Sequence, residues 1–331
     1  VSELRRNPLT HEWVVIAAAR SGRPDEYVAG SSRPRRPARD PECPFCPGNE
    51  ERTPPTILAL PGPSGTGWAV RVVENAYPAL TTPATGSPPA GSALFATMPG
   101  SGAHEVIIEC SEHGSELADR DRGQARLMLE AYRARYRALI DAPGIAFVSV
   151  FKNQGRTAGA SLEHPHSQIL ALPVTPAAVR RRSDIAAAHR ERTGRCLMCD
   201  VMAEELNDGR RVVRDETGFV TFVPHAPEFP GEMWVVPKAH APSFATLPDG
   251  DLDGMAEALI DATRRLRGRL GGPDFNYAIH SPASAEQAAP HQHWYVQTSP
   301  RTTTLAGVEL ATGLRINPES PEEIATRLKG A

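Results

Sequence analysis

The sequence predicts an α+β chain in which one structural unit is written twice. Four of its five cysteines form two Cys-x-x-Cys pairs, Cys43/Cys46 and Cys196/Cys199, one in each half. Each pair is followed by a lone histidine, His113 or His240, and then by a His-x-His, His164/His166 or His291/His293. The lone histidine and the first of the following two stand 51 residues apart in both halves, a self-similarity that points to internal duplication.

The segments between these landmarks also match in kind. Residues 104–113 and 231–240 are β-rich runs ending on the lone histidine. A helix is expected after each. Ala125, Met128, Leu129, Tyr132, Tyr136, Leu139 and Ile140 step by three and four, and so do Leu252, Met255, Ala256, Leu259, Thr263, Leu266 and Leu270. Gly271-Gly272 offers the second helix a C-cap. Strands are expected next at 145–151 and 275–280, and the His-x-His segments should run as strands into 169–172 and 294–297. Two residues apart on a strand, both histidines would face one side of the sheet. The charged stretch from Arg180 to Arg195 marks the boundary between halves. Residues 31–41 (Arg, Pro) and 81–92 (Pro, Gly, Ser, Thr) read as surface loops.

Composition narrows the function. With 331 residues, 40% apolar and 23% charged, the chain has room for two globular domains. Its longest apolar run, residues 13–19, is too short for a membrane span, and a cytoplasmic location is expected. A net charge of −3 disfavours nucleic acid as a partner. Lysines are confined to Lys152, Lys238 and Lys329, so phosphate recognition falls to arginine. In a reducing compartment the Cys-x-x-Cys pairs read as zinc knuckles before disulfides. The second would be completed by His240 and one of His291 and His293.

Only the first half carries Asn153-Gln-Gly155-Arg-Thr-Ala-Gly159-Ala-Ser161 before its His164-Pro-His166-Ser-Gln168. A glycine-punctuated, hydroxyl-bearing loop suits phosphate oxygens, which its backbone N–H groups can hold. Residues 281–289 occupy the equivalent place without such a pattern. The first half is expected to be catalytic and the second supportive.

The ordered set Asn153-x-Gly155-x-x-x-Gly159-x-Ser161, His164-Pro165-His166-x-Gln168 resembles the active-site signature of the galactose-1-phosphate uridylyltransferase family of the histidine-triad superfamily. The opening Asn7-Pro8-Leu9-Thr10, Arg20-x-x-Arg23-Pro24, Cys43-Pro-Phe-Cys46-Pro-Gly, Glu74-Asn75 and Gly307-Val308-Glu309 extend the resemblance over nearly the whole chain. It implies two tandem histidine-triad-like domains, 1–178 and 179–331, each an antiparallel sheet with packed helices. The activity implied is transfer of a nucleoside monophosphate between an NDP-sugar and a sugar 1-phosphate by double displacement.

By that resemblance His166 attacks the α-phosphorus, while Gln168 and Ser161 stabilise the phosphoryl oxygens. A neutral imidazole has the lone pair this needs, and glutamine in place of the third histidine of hydrolytic triad proteins favours a transferase. The resemblance assigns zinc to Cys43, Cys46, His113 and His164. A second zinc falls to Cys196, Cys199, His240 and His293, the last chosen over His291 by the pattern of a phosphorylase-like branch. Asn153, Gly155, Gly159 and Asn75 become substrate contacts, and Arg20 and Arg23 reach phosphate across a homodimer interface. Glu309 matches a sugar-hydroxyl carboxylate, and Arg315 stands where galactose enzymes carry a second polar sugar contact. Glu163 before His164 resembles the ADP-glucose phosphorylase branch, where the acceptor is inorganic phosphate. The runner-up reading is therefore an NDP-sugar phosphorylase, and a further alternative is a non-catalytic nucleotide-binding zinc protein, which the intact His166/Gln168 pair argues against.

Overall fold

The computed structural model describes residues 2–20, 37–62, 65, 67–81, 90–92 and 94–330. The first half supplies strands β1 (Glu3–Arg6), β2 (Trp13–Ile16), β3 (Thr56–Pro61), β4 (Trp68–Glu74) and β5 (Ala103–Ile108), helix α1 (Arg122–Ile140), and strands β6 (Phe147–Gln154) and β7 (His166–Leu172). Helices α2 (Ala177–Thr193) and α3 (Leu197–Asp208) lead to β8 (Val212–Asp215), β9 (Phe219–Phe222) and β10 (Met233–Pro237). Helix α4 (Leu252–Arg269), strands β11 (Phe275–His280) and β12 (Tyr295–Pro300), helix α5 (Gly307–Thr312), strand β13 (Arg315–Asn317) and helix α6 (Pro321–Lys329) complete the described chain.

Ten of the strands form one sheet in the order β3-β4-β5-β7-β6-β11-β12-β10-β9-β8. Every neighbouring pair in it is antiparallel. The order has the same form from either end, so the duplication is written in the topology: two five-stranded halves meet at the β6–β11 pairing. A three-stranded sheet, β1-β2-β13, ties the tail to the start of the chain.

One face of the large sheet is covered by α1 and α4, whose apolar stripes share a core with Val72, Ile107, Val148, Val150, Ile169, Ala171, Tyr277 and Val296. Burying one such aliphatic side chain contributes about 1.5–3 kcal/mol. Because strand side chains alternate, Ile169 and Ala171 under the helices put His166, Gln168 and Leu170 on the opposite face. Helix α1 begins at its cap, where Asp121 accepts from the Gln124 N–H at 2.8 Å. Helix α4 ends where Gly271 and Gly272 take positive φ, as the sequence suggested.

Two sequence expectations are corrected. The His-x-His segments do not lie wholly on strands: β7 opens at His166 and β12 at Tyr295. Pro165 has no N–H for the ladder, and its carbonyl alone takes part, accepting from Glu109 N–H. Counted from the strand start, His164 therefore corresponds to His293 and not to His291, so the equal 51-residue spacing pairs the wrong members. The charged stretch from Arg180 to Arg195, expected at the boundary between halves, is mostly helix α2, in which only Val179 and Ser183 are fully buried. Of the two expected loops, only residues 37–41, 81 and 90–92 fall within the described part.

Candidate active site

The first Cys-x-x-Cys knuckle sits against the sheet face that carries His166. Cys46 Sγ lies 3.6 Å from both His113 Nδ1 and His164 Nδ1, and Cys43 Sγ lies 3.8 Å from His164 Nδ1. All four side chains are buried, with their donor atoms within 4.8 Å of one another. A tetrahedron with Zn–S near 2.3 Å and Zn–N near 2.0–2.1 Å has edges of roughly 3.3–3.8 Å. His164 Nε2–H donates to the Cys110 carbonyl at 2.8 Å, leaving Nδ1 as the ligating nitrogen. Burial pushes the Cys43 thiol up to about 11 and His164 down to about 4. Such a pocket accepts thiolate only beside a cation, so the donor set fits a thiophilic divalent metal.

The second set repeats the design at a shallower depth. Cys199 Sγ lies 3.4 Å from His293 Nδ1 and 3.5 Å from His240 Nδ1, while Cys196 Sγ lies 3.9 Å from His293 Nδ1. His293 Nε2–H donates to the Pro237 carbonyl at 3.0 Å, the counterpart of the His164 bond. His291 points elsewhere, 3.3 Å from Ser183 Oγ.

Between the first knuckle and the opening of β7 stands Phe45, its ring edge-on to His164 at 6.1 Å and to His166 at 5.5 Å. His166 is only 6% exposed. Its Nδ1–H donates to the His164 carbonyl at 2.8 Å, so the lone pair of the neutral ring resides on Nε2. Burial, helped by Lys152, lowers the affinity of this ring for a second proton. Behind it, Lys152 Nζ donates to the His166 carbonyl at 3.2 Å and to Glu109 at 2.8 Å. Glu109 also pairs with Arg120 at 3.1 Å and accepts from Tyr132 at 2.8 Å and from Ser167; Tyr132 in turn meets Tyr277 of the second half at 2.6 Å. Burial pushes Glu109 up, but Lys152 and Arg120 outweigh it and hold the carboxylate at about 2.

The glycine loop leaves β6 at Gly155, whose φ of +88° and whose missing Cβ, 1.9 Å from Asp274 Oδ1 if present, both demand glycine. Asp274 clasps the loop through Thr157 N–H and Oγ–H, each at 2.7 Å. Gly159 N–H and Ala160 N–H turn back to Arg156 O and Gly155 O at 3.0 and 3.1 Å. Of the loop amides expected to hold phosphate, those of Thr157, Gly159 and Ala160 are engaged within the molecule. What the loop presents is the exposed Ser161 and the amide of Asn153, whose Oδ1 accepts from Asn276 at 2.7 Å, leaving its own –NH2 available.

Asn276 leads to a feature with no motif in the sequence. It also donates to Ala158 O at 2.8 Å and accepts from Arg301 Nε. The guanidinium of Arg301 lies 5.0 Å above the Phe229 ring, and that of Arg315 lies 5.8 Å from the same ring. Arg315 is held by Glu228 at 3.2 Å. Glu309 is half-buried and caps helix α5, accepting from Ala306 N–H at 3.1 Å. Arg20 closes a short 3₁₀ turn; its side chain and all of Arg23 lie outside the described residues. Asn75 and Gln168 both reach His104, at 3.2 and 2.7 Å from its Nε2. His104, Phe45, Glu109, Asn276 and Arg301 were not singled out by the sequence. Lys152 did offer a signal, as one of three lysines and inside a β-rich run.

The profile of the galactose-1-phosphate uridyl transferase N-terminal domain matches residues 1–176. ADP-glucose phosphorylase of Arabidopsis thaliana is 36% identical over 337 residues, covering 98% of this chain and 91% of its own length. The chain belongs to the galactose-1-phosphate uridylyltransferase family. Galactose-1-phosphate uridylyltransferase of Thermotoga maritima is 29% identical and is covered over 98% of its length by 99% of this chain. The crystal structure of the Arabidopsis thaliana ADP-glucose phosphorylase with bound ADP-glucose superposes with a TM-score of 0.85 at 32% identity, covering 100% of this chain and 99% of its own. A uridylyltransferase structure follows at a TM-score of 0.75 and 27% identity, covering 99% of this chain and 97% of its own. Membership of the uridylyltransferase family makes this chain an enzyme of nucleotidyl transfer, and the half matched by the family profile is the one that holds His166.

Proposed function

We propose that this enzyme moves a nucleoside monophosphate from an NDP-sugar to a phosphate-bearing acceptor through a covalent intermediate on His166. The observation that carries the reading is the fixed tautomer of His166, whose Nδ1–H is engaged by the His164 carbonyl. In the first displacement a bond forms from Nε2 to the α-phosphorus as the bond to the bridging oxygen breaks. Sugar 1-phosphate leaves with the electron pair. In the second, an acceptor phosphate oxygen attacks the same phosphorus and returns the lone pair to Nε2. Gln168, Ser161 and Asn153 donate to the phosphoryl oxygens, and Asn75 contacts the nucleotide. Gly155 and Gly159 shape the loop that carries Asn153 and Ser161 past the substrate.

Zinc is the metal we assign to Cys43, Cys46, His113 and His164, and to Cys196, Cys199, His240 and His293. Its contribution there is structural, fixing the knuckle to the catalytic strand. Glu309 and Arg315 serve the sugar end. Arg20 and Arg23 would come from the partner copy of a homodimer, for which the exposed Tyr77, Phe95 and Leu310 offer contact surface. Five free cysteines, four of them in the donor sets, suit a reducing compartment such as the cytoplasm. No described helix is long and apolar enough to cross a membrane.

The acceptor is a sugar 1-phosphate in the uridylyltransferase reading. Arg301 favours inorganic phosphate as the second reading, because its guanidinium hydrogen-bonds only Asn276 among the described residues and stands beside Arg315. The similarity to ADP-glucose phosphorylase supports it as well. Discharging isolated nucleotidyl-enzyme with phosphate or with hexose 1-phosphate separates the two. Release of nucleoside diphosphate by phosphate alone selects the phosphorylase reading, and NDP-sugar formed only from hexose 1-phosphate selects the transferase.

A further inference from the structure

We infer that His104 is a positioning residue that makes Gln168 a hydrogen-bond donor toward the substrate's phosphate; this rests on the nucleotidyl-transfer reading above. The backbone N–H of Ala79 donates to His104 Nδ1 at 3.1 Å, so that nitrogen carries the lone pair. The one proton of the neutral ring is then on Nε2. Nε2–H meets the Gln168 amide at 2.7 Å, so the atom facing it is the carbonyl oxygen. The –NH2 of Gln168 is turned away from the ring. Asn75 behaves alike: its Oδ1 accepts from Tyr77 N–H at 2.8 Å, which places its –NH2 beside the same ring nitrogen at 3.2 Å. Because that nitrogen is itself a donor, the N–H groups of Asn75 are left for another acceptor.

The second half supplies an internal control. Val106 pairs with Gln168 across β5 and β7, and Trp234 pairs with Gln297 across β10 and β12. Two residues upstream in each case, His104 and Glu232 occupy the same diagonal position. Glu232 is an acceptor, and Gln297 answers it with its –NH2 at 2.9 Å, while its carbonyl oxygen faces His280 Nε2 at 2.8 Å. The strand-opening residue there is Tyr295, where the first half has His166. The same glutamine in the same register has its amide facing opposite ways in the two halves, according to whether its diagonal neighbour donates or accepts.

The test is the single-turnover rate of nucleotidyl-enzyme formation, read by intact mass with ADP-glucose as probe, for His104→Leu and His104→Gln in wild-type and Gln168→Ala backgrounds. Loss of the orienting donor should slow the step roughly ten- to a hundredfold in His104→Leu. His104→Gln, which keeps an amide N–H near the Nε2 position, should stay within about threefold of wild type. In the Gln168→Ala background His104→Leu should change the rate by less than about twofold, because its effect runs through Gln168. An equal slowing in both backgrounds, or no slowing in either, overturns the inference. Nitrogen NMR of the ring decides it without substrate: a proton on Nε2 is expected, and a proton on Nδ1 overturns it. A wild type that takes up no nucleotide counts against the functional reading, and the ring tautomer still decides the part assigned to His104.

Discussion

His166 is oriented by neighbours two residues away in sequence and by others far from it. The His164 carbonyl fixes its tautomer, Phe45 braces its ring, and Lys152 reaches its carbonyl from β6. Replacing His166 by glycine should abolish the nucleotidyl adduct; because it also removes a buried ring packed on Phe45, a modest fall in melting temperature is expected with the fold retained. Gly155→Ala is the opposite kind of change. An alanine there meets Asp274 at 1.9 Å and must hold φ at +88°, so a loss of about 1–3 kcal/mol in stability is expected, with slower adduct formation. A thermal melt and the adduct assay check both. His166, Gln168 and the loop glycines, which the proposed reaction uses, stood out in the sequence because their types stand in a fixed order in the chain. His104, Phe45 and Arg301 were not, because each acts through a contact made only after strands from distant segments pair.

At the level of elements, a buried charge cluster in the first half reaches the seam with the second. Glu109, Lys152 and Arg120 form a fully buried cluster joined to Tyr132 of α1 and Tyr277 of β11. Glu109 stays ionised down to about 2, below its ordinary 4.5, so the unfolded chain binds this proton first as pH falls. Its stabilisation is complete above about 4.5 and is lost progressively toward pH 2. Melting curves across that window should show the loss in wild type and a flatter profile in Glu109→Gln. That variant should already be about 3–5 kcal/mol less stable at neutral pH, because it leaves Lys152 and Arg120 buried without their counter-charge. The knuckles make a separate prediction. Cys43→Ser should cost one metal equivalent and a strong chelator both, and either should lower the melting temperature more than it alters the chemical step in whatever protein remains folded. Elemental analysis should return close to two zinc ions per chain, and under half an equivalent would count against both sites. Helices α1 and α4 were readable from their spacing. The helical state of α2 was not, because its apolar residues cluster at 177–179 and 185–188 and do not recur every three or four positions.

For the whole molecule, duplication gave two similar halves with unequal chemistry. Both keep a four-ligand Cys/His set and a glutamine in the same register, but only the first keeps histidine at the strand opening and a glycine loop before it. The second half supplies Asp274 to clasp that loop, and Asn276, Arg301 and Phe229 beside it. The continuous sheet, with β6 paired to β11, is what brings those residues to the first half's loop. Sequence reading recovered the duplication from a spacing that the structure then reassigned, because a repeat in the chain does not state which residue opens each strand. Arg315→Ala should raise the phosphate requirement if phosphate is the acceptor, whereas Glu309→Ala should slow only the NDP-sugar half-reaction; initial rates with each acceptor check this. The covalent step on His166 separates double displacement from direct transfer between bound substrates. Intact-mass measurement of the protein after incubation with ADP-glucose and UDP-glucose, with no acceptor present, tests it most directly. A gain of one nucleoside monophosphate is expected, with sugar 1-phosphate released in equal amount and no gain in His166→Gly. Turnover by a wild-type protein that never carries the added mass would contradict double displacement.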